Sequence, residues 1–507
     1  MLVAPGAAAP AQTPAPPVTE LLANYAHAVD APGAVSFDRL ETMGSISGAG
    51  LSGGFHTWAE GDREREDQRL GPRSETTLRL GDRVYYENAD GNVREYTGIM
   101  LRRSRTARFI DSGDFAKAPD RCVARGRTTV AGRTVYALDV TAQNGETETL
   151  YLDTTTWLPV RVAYDDDDGR TTIDLSDWHA IAGHRFPFKA VVSDGDPAFD
   201  TQQLTENVVV NQPIDVTAFR PLANRPIEMA APQTIALKFY EGHLYVPVTI
   251  AGRTYTFLVD TGAQNILVDT RVAREAGLAG EGALEASGAQ RTGGLQVARL
   301  ADLGIGSGHL RDIVVTTLDL GRSTNGVFRI DGILGYPFFA GATVKIDYGK
   351  LAMTFGPPGS FAPTGAKIAI ETDRAFPEAQ FRVNNQIDAT FLVDTGNAAE
   401  VLLYRPFVDH HPGVVPPALS SIRQSYGIGG SIASYRSSLD ELDLAGIAVY
   451  HADADVILAT RGAFADRFDA GNVGLGLLKN FIVTFDESVG AMYIERGANF
   501  DDGRSRH

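Results

Sequence analysis

The six residues Phe257–Gly262, reading Phe-Leu-Val-Asp-Thr-Gly, recur unchanged at Phe391–Gly396, 134 positions along a chain of 507 residues. An aromatic and branched apolar run that stops at Asp-Thr-Gly reads as a strand delivering a carboxylate on a tight turn. One such acid is an ordinary surface group. Two on equivalent turns can be brought face to face by a pair of lobes related by a twofold, and carboxylates that close share a proton and can activate water. The repeat therefore constrains the fold to a duplication.

The landmarks around the two copies keep one order, as a duplication requires. Val246–Ile250, the turn Ala251-Gly252 and Thr254–Val259 form the first hairpin; Phe381–Val383, Asn384-Asn385 and Ile387–Val393 form the second. Downstream, Asp331-Gly-Ile-Leu-Gly335 is matched with Asn472-Val-Gly-Leu-Gly476, and Asp347 with Met353 is echoed by Asp486 with Met492. Two small all-β lobes are expected, at 235–356 and 367–497, joined by a Pro-containing linker at 357–366 and followed by a polar tail at 498–507.

The half of the chain before these lobes reads differently. Leu21, Leu22, Tyr25, Ala26 and Val29 have helical spacing, after which Thr76–Tyr86, Thr134–Val140 and Thr149–Leu152 alternate as strands. Ala89-Asp90-Gly91-Asn92 and Asn144-Gly145 mark turns, and Asp165–Asp168 is expected at a solvated hairpin tip. An α+β domain with an antiparallel sheet is expected over 18–219, and the prolines Pro213, Pro221, Pro226 and Pro232 point to a linker at 220–234. Fold class as a whole is mainly β.

Composition excludes several functions. A net charge of −17 disfavours nucleic acid, and no apolar run reaches the ~20 residues that a membrane span needs. The basic cluster Arg102–Arg108 is expected in a solvated turn. One cysteine, Cys122, rules out a disulfide framework and a multi-thiolate metal site. His410-His411 lacks a helical His-Glu spacing and is expected in a loop; Gly-x-Ser-x-Gly and phosphate-loop patterns do not occur, so neither metal nor cofactor is expected. Residues 1–17, with six Ala and five Pro, are expected to be an arm or the remnant of an export signal, which favours a periplasmic or extracellular protein.

Hydrophobic-hydrophobic-Asp-Thr-Gly, followed 73 residues after Gly262 and 80 after Gly396 by a hydrophobic-Gly segment, is similar to the pattern of the retropepsin and pepsin group of aspartic peptidases. The likeness covers about residues 235–497, as retropepsin-sized lobes fused in the pepsin manner. It implies an endopeptidase acting on polypeptide through Asp260 and Asp394. Thr261, Gly262, Thr395 and Gly396 would support them, and Ile333, Leu334, Gly335, Leu475 and Gly476 would pack beneath. Flaps over the substrate are implied near Gly293 and Gly294 and near Tyr426, Gly429 and Gly430. Over 18–219, Tyr136–Val140, Leu150–Thr154, Trp157–Arg161 and Gly183–Pro187 resemble the lipoprotein-carrier family, a curved half-barrel over a helix, which implies a lipid or lipoprotein partner.

Two positions depart from the peptidase pattern. Asn397 stands where the family generally has a small residue, as Ala263 does, and Gly474 replaces one of the hydrophobic pair. A noncatalytic peptide- or lipid-binding envelope protein is the alternative, and a purely structural duplication a third. Leu267-Val-Asp-Thr270 and Leu152-Asp-Thr154 lack the glycine and are expected to be decoys.

Overall fold

The computed structural model describes residues 16–166, 169–287, 291–323, 330–417, 421–427, 430–460 and 462–501. The expected arm lies almost wholly outside these residues, as do part of the tail, the second half of the Asp165–Asp168 tip and Gly429. The chain is mainly β and divides into two compact units.

The first unit comprises the described residues up to Ser45, with Ile99–Asp166 and Arg170–Pro213. Successive strands from Cys122–Val130 to Thr201–Val210 pair with their sequence neighbours, the commonest outcome when short turns join strands. The helix Val18–Val29 buries Leu21, Leu22 and Tyr25 against Phe115, Leu138, Leu150 and Leu152, as its periodicity indicates. Thr134–Val140 and Thr149–Leu152 lie within the paired strands Arg133–Thr141 and Thr147–Asp153. The basic cluster is not in a turn. It lies on the helix Gly98–Asp111, where arginine is a good helix former; Arg103 reaches Asp166 at 2.9 Å and Arg102 reaches Glu146 at 2.5 Å.

The second unit takes in Ile46–Gly98 and the chain from Ile214 onward. Its strands Leu51–Glu60, Arg63–Leu70, Arg73–Leu80, Arg83–Glu87 and Val93–Glu95 form a meander. Thr76–Tyr86 is thus two strands and not one, because Gly81 takes φ 62° and reverses the chain between Leu80 and Arg83. The Asp90 turn is more than a surface reversal. Its carboxylate is buried and accepts from Val314 N at 2.6 Å, while Gly91 O accepts from Arg225 N. Burial lifts the Asp90 pKa to about 6.

Two lobes of one topology make up the rest of this unit. In the first, the hairpin His243–Ile250 and Arg253–Val259 continues through Gly332–Leu334, Leu267–Asp269, Gly308–Leu318, Arg291–Ile305 and Glu281–Ser287. In the second, Glu378–Val383 and Ile387–Asp394 continue through Gly471–Gly474, Val401–Leu403, Ala448–Ile457, Gly430–Asp443 and Arg423–Gly427. Each sheet closes on itself, through Thr249 opposite Gly304 and Arg382 opposite Asp443. The lobes meet edge to edge where Val344 pairs with Phe485 and Ile346 with Val483, over a shared core containing Met353, Phe339 and Met492.

Both decoys have structural duties. Asp269 caps the helix Thr270–Glu275, accepting from Arg271 N at 2.9 Å, and Asp153 accepts from Thr155 N and Thr156 N at 2.8 Å. His410 is not in a loop either: it ends the helix Arg405–His410, its Nδ1 paired with Pro406 O.

Candidate active site

Each Asp-Thr-Gly turn hangs from a strand held on both sides. Arg253–Val259 pairs with His243–Ile250 and, in parallel, with Gly332–Leu334, so the chain leaves the sheet at Asp260. Ile387–Asp394 does the same between Glu378–Val383 and Gly471–Gly474. Phe257, Val259, Phe391 and Val393 are fully buried, which fixes the strands and aims the acids outward from the sheet ends.

The turns interlock. Thr395 N donates to Thr261 Oγ1 and Thr261 N to Thr395 Oγ1, both at 3.0 Å. The hydroxyls in turn donate across the junction, Thr261 to Val393 O at 2.6 Å and Thr395 to Val259 O at 3.0 Å. Both threonines are buried, so every polar atom in this crossing needs its partner. Thr261→Val keeps the volume but strands the buried Thr395 N–H and loses the donation to Val393; a cost of about 1–3 kcal/mol is expected in chemical denaturation.

The glycines are required for space and not for backbone sign, since neither turn glycine takes a positive φ. A methyl group on Gly262 would lie 2.7 Å from Asp394 Cγ, and one on Gly396 would collide with the Asp260 carboxyl. Each acid thus sits over the other turn's glycine, and the two carboxyls are within hydrogen-bonding reach of each other. Burial raises both above the ordinary carboxylate range, and the neighbouring negative charge raises Asp394 further. Such a pair retains a proton where an isolated carboxyl has lost it.

The surroundings of the two acids differ. Asp260 Oδ1 accepts from Gly262 N at 2.9 Å. Asp394 Oδ1 accepts from Gly396 N at 2.8 Å and Asn397 N at 3.1 Å, and its Oδ2 accepts from Asn472 Nδ2 at 2.9 Å. Nothing in the repeat pointed to Asn472, because the sequence match is out of register by two residues. The ladder pairs Val259 with Leu334 but Val393 with Val473, so the counterpart of Ile333-Leu334-Gly335 is Asn472-Val473-Gly474 and not a segment ending in Leu475-Gly476. A Cβ on Gly335 would meet Ala263 O at 2.5 Å, as one on Gly474 would meet Asn397 O at 2.7 Å. Leu475 instead corresponds to Tyr336: their amides donate to Asn397 O and Ala263 O at 2.6 and 2.8 Å. Gly474 is therefore in place, and the true departure is Asn472 where the first lobe has Ile333.

Two further groups escaped the sequence reading. His243, on the first lobe, lies against the Gly396 backbone, and burial lowers its pKa. Tyr404 is buried within electrostatic range of Asp394, and desolvation pushes its hydroxyl well up. Among the implied flap residues, Gly293 and Gly294 are exposed on the hairpin in which Ser287 pairs with Arg291. Gly430 pairs with Gly427, and Tyr426 with Ser431, in the corresponding hairpin of the second lobe.

Among the described residues one trio, Glu371, Asp373 and Glu378, brings its carboxylate oxygens within 4.8 Å of one another. Glu378 is paired there with Arg374, which supplies positive charge without an ion. No helix among the described residues is long and apolar enough to cross a membrane.

Residues 246–338 match a family model described as aspartyl protease. No curated protein matches the chain. Among solved structures, a DUF1329 family protein from Desulfovibrio piger is 16% identical at a TM-score of 0.29, covering 40% of this chain and 95% of its own. A putative outer membrane lipoprotein-sorting protein domain from Vibrio parahaemolyticus is 13% identical at 0.27, with coverages of 40% and 95%. A LolA superfamily protein from Nitrosomonas europaea is 12% identical at 0.26, with coverages of 41% and 99%.

Proposed function

We propose that this protein is an aspartic endopeptidase in which Asp260 and Asp394, from the two lobes of one chain, activate a single water. The observation that carries this reading is reciprocal: each carboxyl lies over the other turn's glycine while the threonines lock the turns together. With one proton between them, the ionised acid removes a proton from the water as its oxygen attacks the scissile carbonyl, and the protonated acid donates to the carbonyl oxygen. The acid that took the water's proton then passes it to the nitrogen as the C–N bond breaks, and the other acid recovers its proton from a hydroxyl of the tetrahedral carbon as the carboxyl product forms, which restores the singly protonated pair. Leu334, Gly335, Val473 and Gly474 support the turns, and the hairpins bearing Gly293 and Gly294 and Tyr426 and Gly430 serve as the flaps. The Ala- and Pro-rich start favours exported polypeptides as substrates.

A noncatalytic peptide-binding role is the competing reading, and what favours it is the Asn472 side-chain amide on Asp394, for which the first lobe has no counterpart. An unfolded polypeptide such as casein separates the two. Cleavage that is stopped by a statine-type peptide, whose hydroxyl occupies the place of the attacking water, is expected. Tight binding of the same peptide with no cleavage at any pH would leave the binding role standing.

A further inference from the structure

The two asparagines beside Asp394 form a chain with a direction. Ala399 N donates to Asn397 Oδ1 at 3.0 Å, and a backbone N–H can only donate, so that end of the Asn397 amide must be oxygen. Its Nδ2 therefore faces Asn472 and donates to Asn472 Oδ1 at 2.5 Å. Asn472 is held the same way round, and its Nδ2 donates to Asp394 Oδ2 at 2.9 Å. Asn472 is itself only 1% exposed, which makes its two hydrogen bonds costly to leave unmade. One main-chain amide thus fixes the sense of two side-chain amides, and all the donation arrives at one carboxyl oxygen.

The first lobe has nothing equivalent. Ala263 stands at the position of Asn397 and Ile333 at that of Asn472, and neither side chain can donate. A fold built by duplication and closed by a near-symmetric crossing of threonines is made asymmetric at this one point. We propose that Asn397 and Asn472 are positioning residues that hold Asp394 as the proton acceptor of the pair and so leave Asp260 as its acid. Its catalytic meaning rests on the peptidase reading, while the proton placement does not.

The other groups that face Asp394 act on the same balance. Asp260 opposes it from the first lobe, and its negative charge pushes a proton onto Asp394. His243 lies against the backbone of Gly396, and Tyr404 lies behind, with Asp466, Asp469 and Arg374 beyond it. Backbone donation is alike at the two acids, from Gly262 and Ala263 on Asp260 and from Gly396 and Asn397 on Asp394, so what stands against the charge of Asp260 is the Asn472 side chain, and a hydrogen bond to an ionised acceptor is among the stronger kinds. Tyr404 keeps its proton, since burial pushes its hydroxyl well up, and His243 faces the Gly396 backbone, so the group that separates the two acids is the side-chain donor that only Asp394 has.

The test is a carbon-13 carboxyl titration of the full chain with labelled aspartate, the two signals assigned with Asp260→Asn and Asp394→Asn. In the wild type the Asn472 donation is expected to outweigh the charge of Asp260, which by itself favours a proton on Asp394, so that Asp394 loses its proton in the lower of the pair's two steps. In the double variant Asn397→Ala with Asn472→Ile, which installs the first lobe's own residues, that lower step is expected to rise by about one pH unit. Asn397→Ala alone, which removes the link that fixes the amide direction, should move it the same way by less; it serves if the double variant does not fold. A lower step that belongs to Asp260, or one that stays put in a folded variant, overturns the proposal. Casein cleavage is followed on the same samples: a titration that behaves as stated in a wild type that cuts nothing would remove the peptidase reading alone.

Discussion

Asp260→Asn and Asp394→Asn are each expected to lower kcat by at least about 10³-fold, within the range that loss of a positioned acid or base produces. The amide is isosteric with the acid and keeps the contact with Gly262 N or with Gly396 N, so the turn geometry is preserved. What is lost is the proton that the pair must pass. Asp260→Asn should therefore unfold no earlier than the wild type, since it also relieves the repulsion between the two acids, whereas the amide of Asp394→Asn turns its NH2 toward the Asn472 Nδ2 donor, so a loss of about 1–3 kcal/mol is expected there. Peptide cleavage and thermal unfolding measured on the same preparations check both halves. Full activity in either variant would remove that residue from the chemistry, and a large fall in stability would mean that the loss of rate came from the fold.

The largest effect on stability is expected at Arg374, far from any repeat signal. Its guanidinium is buried and meets Asp466 at 2.6 Å, Asp469 at 2.5 Å and Glu378, all three acids buried as well. Its carbonyl accepts from Gln264 Nε2 at 2.7 Å, which ties this cluster to the residue two places beyond Gly262. Arg374→Met fills the space but leaves three buried carboxylates without their cation. Breaking a buried ion pair by removing one partner costs about 3–5 kcal/mol, and a loss at the upper end of that range is expected from the denaturant midpoint. Arg374→Lys keeps the charge on a single ammonium that cannot fork to three acids, so an intermediate loss is expected. Retention of wild-type stability in Arg374→Met would show that the acids are protonated in the native protein.

What the sequence made legible was local. Phe257–Gly262 and Phe391–Gly396 are legible because strand, turn and acid are all specified within six residues, and the hairpins before them because alternation and turn residues coincide. The helix of Leu21, Leu22 and Tyr25 is legible for the same reason. Register was not. The match of Leu475-Gly476 to Leu334-Gly335 looks right as letters, yet a parallel ladder to a strand some eighty residues away decides the pairing, and no local feature reports it. Asn472 was hidden by that shift. Asn397 had been visible as a departure, but its purpose depends on a partner that only the fold brings near. The Asp90 turn carried its turn signal openly, whereas its burial against Val314 depends on packing across more than two hundred residues. The arginines of Gly98–Asp111 misled because charge density suggests solvent and says nothing of backbone conformation.

The central claim, a proton shared between two half-buried acids, is most directly tested by the pH dependence of kcat/KM for peptide cleavage. The sequence alone suggests a bell below neutrality. Burial raises both members, so both limbs should lie above those of an ordinary solvated carboxyl pair: activity grows as the lower step releases one proton and falls as the upper step releases the second. A bell of that kind, abolished in Asp394→Asn, is the predicted result. A rate that climbs without a maximum from about pH 4 to about pH 10 would mean that a singly protonated pair is not the reacting form.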